Sequence, residues 1–543
     1  MNKGFRSLSD RIIESLFARS PLLATTYGVH SHDRELDRLD LQARLAHRAE
    51  VRDQLRELKA YEVASLSHTE QMDLSVLQGQ LQVLLRWDED IKVYERDANR
   101  YLVRLLDALF HAAVREYSPE LERGKALLKR LQQLPAYLDT AAQNLRQGYD
   151  LPAVWTEIAV ETADGADRFF RETLLPFAAR CGKIQEELSD ATEGARRSLL
   201  RFRAFLQNDL LPRCDGAFAV GRDFFEFLLE KEHGLHLKCK DLLLLGEDSV
   251  ASIRGEMERA AKEISTRKSL GDVIRDIRRE HPKADKLLDA YRRETERARD
   301  FVVSRELLTL PENDRLSVVE TPPFARPTVP YGGYVAPAPF ESKQEGLFWV
   351  TPVDPELKAA EVRQRLEEHN VYELPLMAIH EAYPGHHVQT LYANRASSKV
   401  RRVFWTPVFS EGWALYCEEL ALAHGYSDDP KVRLMGLKWQ LMRACRVLVD
   451  VKLHLQQMTF AEAVDVLTSV AGVDRTSALA EVKRYTLTPT QPMSYFVGKR
   501  EIERLRDDYR SHRGERFKLK DFHDKLLGYG SVPPAFIRDA MLH

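Results

Sequence analysis

The chain has little that would fix it in a membrane, an oxidised scaffold or a nucleic-acid complex. Its 543 residues hold five cysteines, at 181, 214, 239, 417 and 445, and none falls in a C-x-x-C pair. An odd, scattered set of this kind excludes a disulfide framework or a cysteine zinc site as the expectation. Reduced, mostly buried thiols in a cytoplasmic protein are expected instead. No stretch approaches the roughly 18 apolar residues of a spanning helix. The opening MNKGFRSLSDRIIESLF reads as a charged amphipathic helix without the apolar run of a signal peptide, so a cytoplasmic localisation is expected. Neither sign of charge dominates: 80 Lys and Arg face 83 Asp and Glu, for a formal net charge of -3. That balance gives no reason to expect a nucleic-acid or membrane partner.

What the chain does have is apolar periodicity. At 44% hydrophobic and 30% charged residues it can bury a substantial core. Length alone suggests three or four domains, with a single large helical body as the obvious exception. Residues 1 to about 310 read as helix after helix, with apolar residues three and four apart in 98–115, 119–146, 168–186 and 188–210. Prolines 119, 135, 152, 176 and 212 punctuate these segments. The arginine-rich stretch 253–300 carries interleaved acids and reads as a pair of solvated surface helices.

Composition changes after about 306. Nine prolines lie between 311 and 355, with Gly332, Gly333 and Gly346, and helix cannot run through that density. Two candidate strands fall here, 331–336 and 346–352. An edge strand of such a sheet either closes a structural hairpin or holds an extended peptide by backbone hydrogen bonds. Helices resume near 356 and run to about 515. The tail 519–543 reads as a helix, a turn at Gly528-Tyr529-Gly530 and a short helix after Pro533-Pro534. The expected fold is mainly α, with a small sheet near 330–352 beside the metal helix. An N-terminal helical region (1–310) and a catalytic region (311–543) are expected to form one continuous unit.

The strongest functional signal is LPLMAIHEAYPGHHVQTLYANRA, residues 374–396. A neutral imidazole is the usual nitrogen ligand of zinc, and a Glu beside the first ligand can take a proton from a water polarised by the metal. In an H-E-x-x-H helix the histidines at i and i+4 share one face. Here His380-Glu381 is followed at i+4 by Pro384, and then by Gly385, His386 and His387. On an unbroken helix His380 and His387 would stand about 10.5 Å apart along the axis, too far for one zinc with bonds near 2 Å. A kink or bulge between Tyr383 and His386 is therefore expected. Either His386 or His387 completes the pair, with a slight lean to His387, which keeps the helical phase.

The third ligand should be a downstream carboxylate that leaves a fourth position open. Glu411 in FSEGWALYCEELA fits, with Ser410 able to cap its helix. Glu418, at i+7 on the same face, can hydrogen-bond a ligand histidine. Glu381 is the expected general base. Tyr495 is the first choice of donor to the oxyanion, and His454 the second. Arg446, Asp450 and His454 share a helical stripe. They either bind a substrate carboxylate or form a buried ion pair with a histidine, the second being slightly favoured.

H-E-x-x-P-G-H-H followed by E-G-W-A-x-Y resembles a bacterial family of helical zinc-peptidase-like proteins known as a domain of unknown function. The likeness spans nearly the whole chain: SPLLATTYGVHSHDRELD near the start, YVAPAPFESKQEGLFWVTP, RACRVLVDVKLH (443–454), RYTLTPTQPMSYFVGKREIERLR and FHDKLLGYGSVP. One departure is Asp-Val-Lys-Leu-His, where a Gly is expected, and it bears on His454. More distantly, His-Glu with a later Glu-Gly-Trp-Ala resembles the gluzincin peptidases. This resemblance implies a helical body split by a deep channel, one zinc ion per chain at its floor, and hydrolysis of short peptides by a carboxypeptidase, dipeptidyl-peptidase or oligopeptidase. A zinc hydrolase of a non-peptide amide and a non-catalytic binding protein are the alternatives.

Overall fold

Apolar spacing of three and four residues folds as helix throughout the first 310 residues. The computed structural model describes residues 2–322, 326, 329, 331–354 and 357–542. Helix Ala98–Val114 shows the pattern: Tyr101, Leu102, Leu105, Ala108, Leu109 and Ala112 are buried on one stripe. The Asp97 side chain caps it by accepting from the Asn99 and Arg100 amides. Pro135 does not punctuate, because helix Glu120–Arg146 runs through it. Burial of Leu131, Leu134 and Leu138 around it offsets the roughly 3 kcal/mol that an interior proline costs. Pro176 and Pro212 do interrupt. Each follows a single π turn, Phe170–Leu174 and Leu206–Leu210, which widens the ladder ahead of a residue with no N–H. The charged stretch 253–300 forms parts of three helices, Cys239–Ile264, Leu270–Arg278 and Leu287–Ser304, rather than a pair.

The proline-dense stretch holds a three-stranded sheet of β1 (Arg315–Glu320), β2 (Gly332–Val335) and β3 (Glu345–Val350) in the order β1-β3-β2. β3 is central, parallel to β1 and antiparallel to β2. Its alternation divides two cores. Phe348 packs edge-on to Tyr291 in one core, and Trp349 packs edge-on to Phe110 in the other. The first core also gathers Phe5, Leu77, Val302, Phe409 and Met541, so helices from both ends of the chain share it.

The helices that build the site are α1 (Leu287–Ser304), α2 (Leu374–Glu381), α3 (His386–Asn394), α4 (Pro407–Ala423), α5 (Pro430–His454), α6 (Arg475–Leu487), α7 (Gln491–Arg513) and α8 (Leu519–Gly528). Among the described residues, no helix is long and apolar enough to cross a membrane. α8 braces α4 through buried His523, whose Nδ1 donates to the Leu307 carbonyl at 2.7 Å while Nε2 accepts from Tyr416 at 2.9 Å. Burial pushes this imidazole down to about 4, so it is neutral and has one donor and one acceptor to satisfy both partners.

α4 and α7 meet backbone to backbone. A Cβ on Gly498 would lie 1.9 Å from the Val408 carbonyl oxygen, and one on Gly412 would lie 2.4 Å from the Gly498 carbonyl carbon. The pair fixes how closely the helix carrying Glu411 and Glu418 approaches the helix carrying Tyr495. Gly498→Ala therefore forces the helices apart at a cost on the order of 3 kcal/mol. Denaturant unfolding should show a lower midpoint with an unchanged slope, whereas an unchanged midpoint would mean that the helices close by another contact.

Candidate metal centre

The Pro-Gly insertion ends one helix and starts another rather than kinking a single one. α2 stops at Glu381, and Ala382 leaves helical geometry at φ −112°, ψ −87°. The Tyr383–Pro384 bond is cis. The Gly385 amide then returns to the Ile379 carbonyl at 3.0 Å. A Cβ at Gly385 would lie 1.9 Å from the His380 carbonyl oxygen, so only glycine lets the chain fold back onto the end of α2. The Trp413 indole of α4 donates to the Pro384 carbonyl at 2.9 Å, which pins the break against the next helix.

This turn sets His386, the first residue of α3, beside His380 near the end of α2. Their rings are perpendicular with centroids 4.8 Å apart. From α4, Glu411 Oε2 lies 3.3 Å from His386 Nε2 and 3.8 Å from His380 Nε2. One donor atom from each of the three residues falls within 4.8 Å of the others, the arrangement of a group able to hold a metal ion. Donors bound at 2.0–2.2 Å around one tetrahedral ion lie roughly 3.4 Å apart, close to these spacings. Behind the group, His380 Nδ1 donates to Glu418 Oε1 at 2.7 Å. That bond turns Nε2 toward Glu411, as a carboxylate behind a metal-bound histidine does. The side chains of His386 and Glu411 keep 16% and 18% of their surface exposed, so the group is reachable from solvent.

The electrostatics suit a cation. Burial disfavours charge on His380, but hydrogen bonds to Glu411 and Glu418 outweigh it and raise the imidazole to about 9. Burial likewise opposes ionisation of Glu411, and the bonds to His380 and His386 override it and hold the carboxyl well below its usual range. The group thus collects positive charge between buried Glu418 and partly exposed Glu411.

The lean to His387 is corrected. One residue past His386 on α3 it points about 100° away, where it is fully buried. Its Nδ1 lies 3.1 Å from the Tyr334 hydroxyl of β2, and its ring packs on Tyr383. Gly346 of β3 leaves room for both rings, since a Cβ there would lie 2.7 Å from His387 Nδ1. Ser410 is not the cap of α4 either. The helix begins at Pro407 with Thr406 as cap, its hydroxyl accepting from the Val408 amide at 3.3 Å. Glu411 therefore lies in the second turn.

Glu381 is partly exposed and has no hydrogen-bond or ion-pair partner among the described residues. The Tyr495 ring lies nearly parallel to His380 at 6.4 Å. The Arg446-Asp450-His454 stripe divides among different partners. Arg446 Nη2 donates to Glu481 Oε2 at 2.8 Å and its guanidinium lies over the Tyr495 ring at 4.8 Å. Asp450 accepts from the Thr490 and Met493 amides at 3.2 and 3.1 Å, which caps α7. His454 is fully buried between Phe218 and Phe225, with Nε2 donating to the Tyr485 carbonyl at 3.0 Å and lying 3.9 Å from Asp450. His454 is thereby corrected from an oxyanion donor to a packing residue, because the helical turn aims it into the core. Arg443 also borders the site, its Nη2 donating to Glu418 Oε1 at 3.0 Å, with Trp439 stacked against its guanidinium. Arg443, three residues before Arg446, carries a readable signal in that spacing.

Gly385→Ala is expected to fold yet to weaken metal binding at least tenfold, because the added methyl displaces α3 from His380. Glu418→Gln is expected to weaken it by about 10–100-fold through loss of the charged partner of Nδ1. Competition with a chromophoric chelator measures both, and unchanged affinity in either variant would count against this group as the metal centre.

Comparison with known proteins places the chain. Two solved structures share the fold along its full length. One is a candidate lipoprotein of unknown function from Shewanella oneidensis, 27% identical with a TM-score of 0.83, covering 99% of this chain and 100% of that one. The other is a candidate lipoprotein from Colwellia psychrerythraea, 20% identical with a TM-score of 0.84, covering 99% of this chain and 98% of that one. Among curated proteins none matches. The profile described as "Bacterial protein of unknown function (DUF885)" matches residues 21–541, and the chain belongs to that family.

Proposed function

We propose that this chain is a zinc peptidase of short peptides, with one ion held by His380, His386 and Glu411 and with Glu381 as general base. The observation that carries the reading is the convergence of two imidazoles and one carboxylate from three helices, with Glu418 behind His380. Two imidazole nitrogens and one carboxylate suit zinc, with a fourth position left for water or substrate. Zinc in such a site supplies Lewis acidity toward a carbonyl and toward water. The resemblance of His-Glu and the later Glu-Gly-Trp-Ala to gluzincin peptidases agrees with the assignment.

The residues divide the work. Glu381, adjacent in sequence to His380 and without a hydrogen-bond or ion-pair partner among the described residues, takes a proton from the attacking water as its oxygen bonds to the carbonyl carbon. It returns that proton to the amine as the C–N bond breaks, so one water is consumed and one acid and one amine are released. Burial, reinforced by the charge of Glu411, raises the Tyr495 phenol. It stays protonated at neutral pH and donates to the oxyanion. A groove of about 650 Å³ runs against β1 between α1 and Tyr383, lined by Arg292, Arg299 and Glu345 among others; it reaches the chain break at Tyr383 but not the metal group itself. β1 is an edge strand, so the groove suits an extended backbone.

Both solved relatives are described as candidate lipoproteins, which sets a lipid-anchored location against the expected cytoplasmic one. Cell fractionation decides between the two.

Elemental analysis with a mixed-peptide digest tests the function. The wild type should carry about one zinc per chain and cleave peptides. Glu411→Ala should lose the zinc. Glu381→Gln should keep it while kcat falls by about 10²–10⁴-fold. Zinc without peptide cleavage would point to a non-peptide amide, and protein without metal would sink the reading.

A further inference from the structure

This inference rests on the peptidase reading and adds the end from which a peptide is cut. Trp439, Arg443 and Arg446 lie at i, i+4 and i+7 on α5, one stripe of that helix. Trp439 Nε1, Arg443 Nε and Nη1, and Arg446 Nε are all buried and lack an acceptor among the described residues. The free acceptor beside them is Glu418 Oε2, whose other oxygen already serves His380 and Arg443. Four donors thus face one acceptor.

Charge is unbalanced in the same direction. Arg443 pairs with Glu418, while Arg446 and Arg484 both pair with Glu481. Three guanidiniums share two carboxylates, and of the three Arg443 and Arg446 are buried while the Arg484 side chain is 36% exposed. The two buried guanidiniums lie beside Tyr495, whose ring has Arg446 at 4.8 Å and Arg443 at 5.7 Å. Tyr495 lies 6.4 Å from His380, so the Arg446 guanidinium is within about 11 Å of that ring. Residues in an extended peptide advance roughly 3.3–3.6 Å each, so an anion held here sits no more than about three residues from the scissile bond. Trp439 and Tyr495 are partly exposed, which gives the stripe access to solvent. A pair of guanidiniums with spare donors is suited to a carboxylate.

We propose that Arg443 and Arg446 receive the C-terminal carboxylate of a short peptide, so that the enzyme removes one to three residues from the carboxyl end. The shared chemistry is a carboxylate, and an acidic side chain near the scissile bond is its other source.

Calorimetry on zinc-loaded protein with Ala-Ala, Ala-Ala amide and Ala-Glu amide separates the two sources. Ala-Ala should bind at least tenfold more tightly than either amide. The preference should fall to less than threefold in Arg446→Gln with zinc content unchanged, since Glu481 keeps Arg484 and Tyr485 as partners. Tetra-alanine should likewise be cleaved at least tenfold faster than its amide, a comparison that needs no variant. Equal binding and equal cleavage of acid and amide would overturn the carboxylate pocket and leave the peptidase reading standing. Ala-Glu amide binding as tightly as Ala-Ala would overturn the C-terminal assignment. A preference that survives in both Arg446→Gln and Arg443→Gln would place the carboxylate on the metal and overturn the role of the arginines. Selective binding of Ala-Ala without cleavage of either tetrapeptide would overturn the peptidase reading alone.

Discussion

One backbone approach governs the centre: Gly385 lying against the carbonyl of His380. A helix carrying both histidines without a break would spread them along its axis, and no single ion could span them. The Gly385 amide instead reaches back to Ile379, which closes the gap and spends one of the free carbonyls at the end of α2. The first residue of α3 then becomes the neighbour of the penultimate residue of α2. Trp413 holds the Pro384 carbonyl, so α4 is tied to the break that it faces. Because α4 also carries Glu411 and Glu418, the contact that positions the histidines positions their carboxylate partners.

The rest of the structure stiffens that arrangement from behind. Glu418 joins His380 to Arg443, and so couples the histidine to α5. Asp450, two turns along α5, caps α7 through two backbone amides. Asp450 is fully buried, and that burial pushes its carboxyl well above the usual range. The glycines of α4 and α7 draw Tyr495 toward the metal group. Four helices thus share one polar layer inside an apolar body. A layer of this kind is costly unless its members are mutually satisfied, and most of its atoms are.

The helical class and the sheet were legible because periodicity and proline density are local signals. β1 was missed: its apolar residues Leu316, Val318 and Val319 form too short a run to stand out beside nearby prolines. His380, Glu411 and Glu418 converge as their spacing suggested, since each lies on a regular helix whose phase can be counted. The choice between His386 and His387 was not legible. It depends on the path of the chain through Ala382–Gly385, which no helical period describes. His454 misled for a related reason. Sharing a stripe with Arg446 says nothing about how far along α5 the site extends, and two turns further on the stripe has entered the core between Phe218 and Phe225. Ser410 looked like a cap in isolation, but Thr406 and Pro407 start the helix a turn earlier.

The exceptions to a satisfied polar layer carry the most information. A buried donor without a partner costs about 1–3 kcal/mol, and a buried unpaired charge costs more. Among the described residues such groups also occur elsewhere, on Arg19, Arg44 and Arg130 for example, but Trp439, Arg443 and Arg446 carry theirs on one stripe of one helix, next to the aromatic ring that lies parallel to His380. Their alignment on one helix stripe beside the metal group, with two guanidiniums among them, is what suits the place to a negatively charged guest.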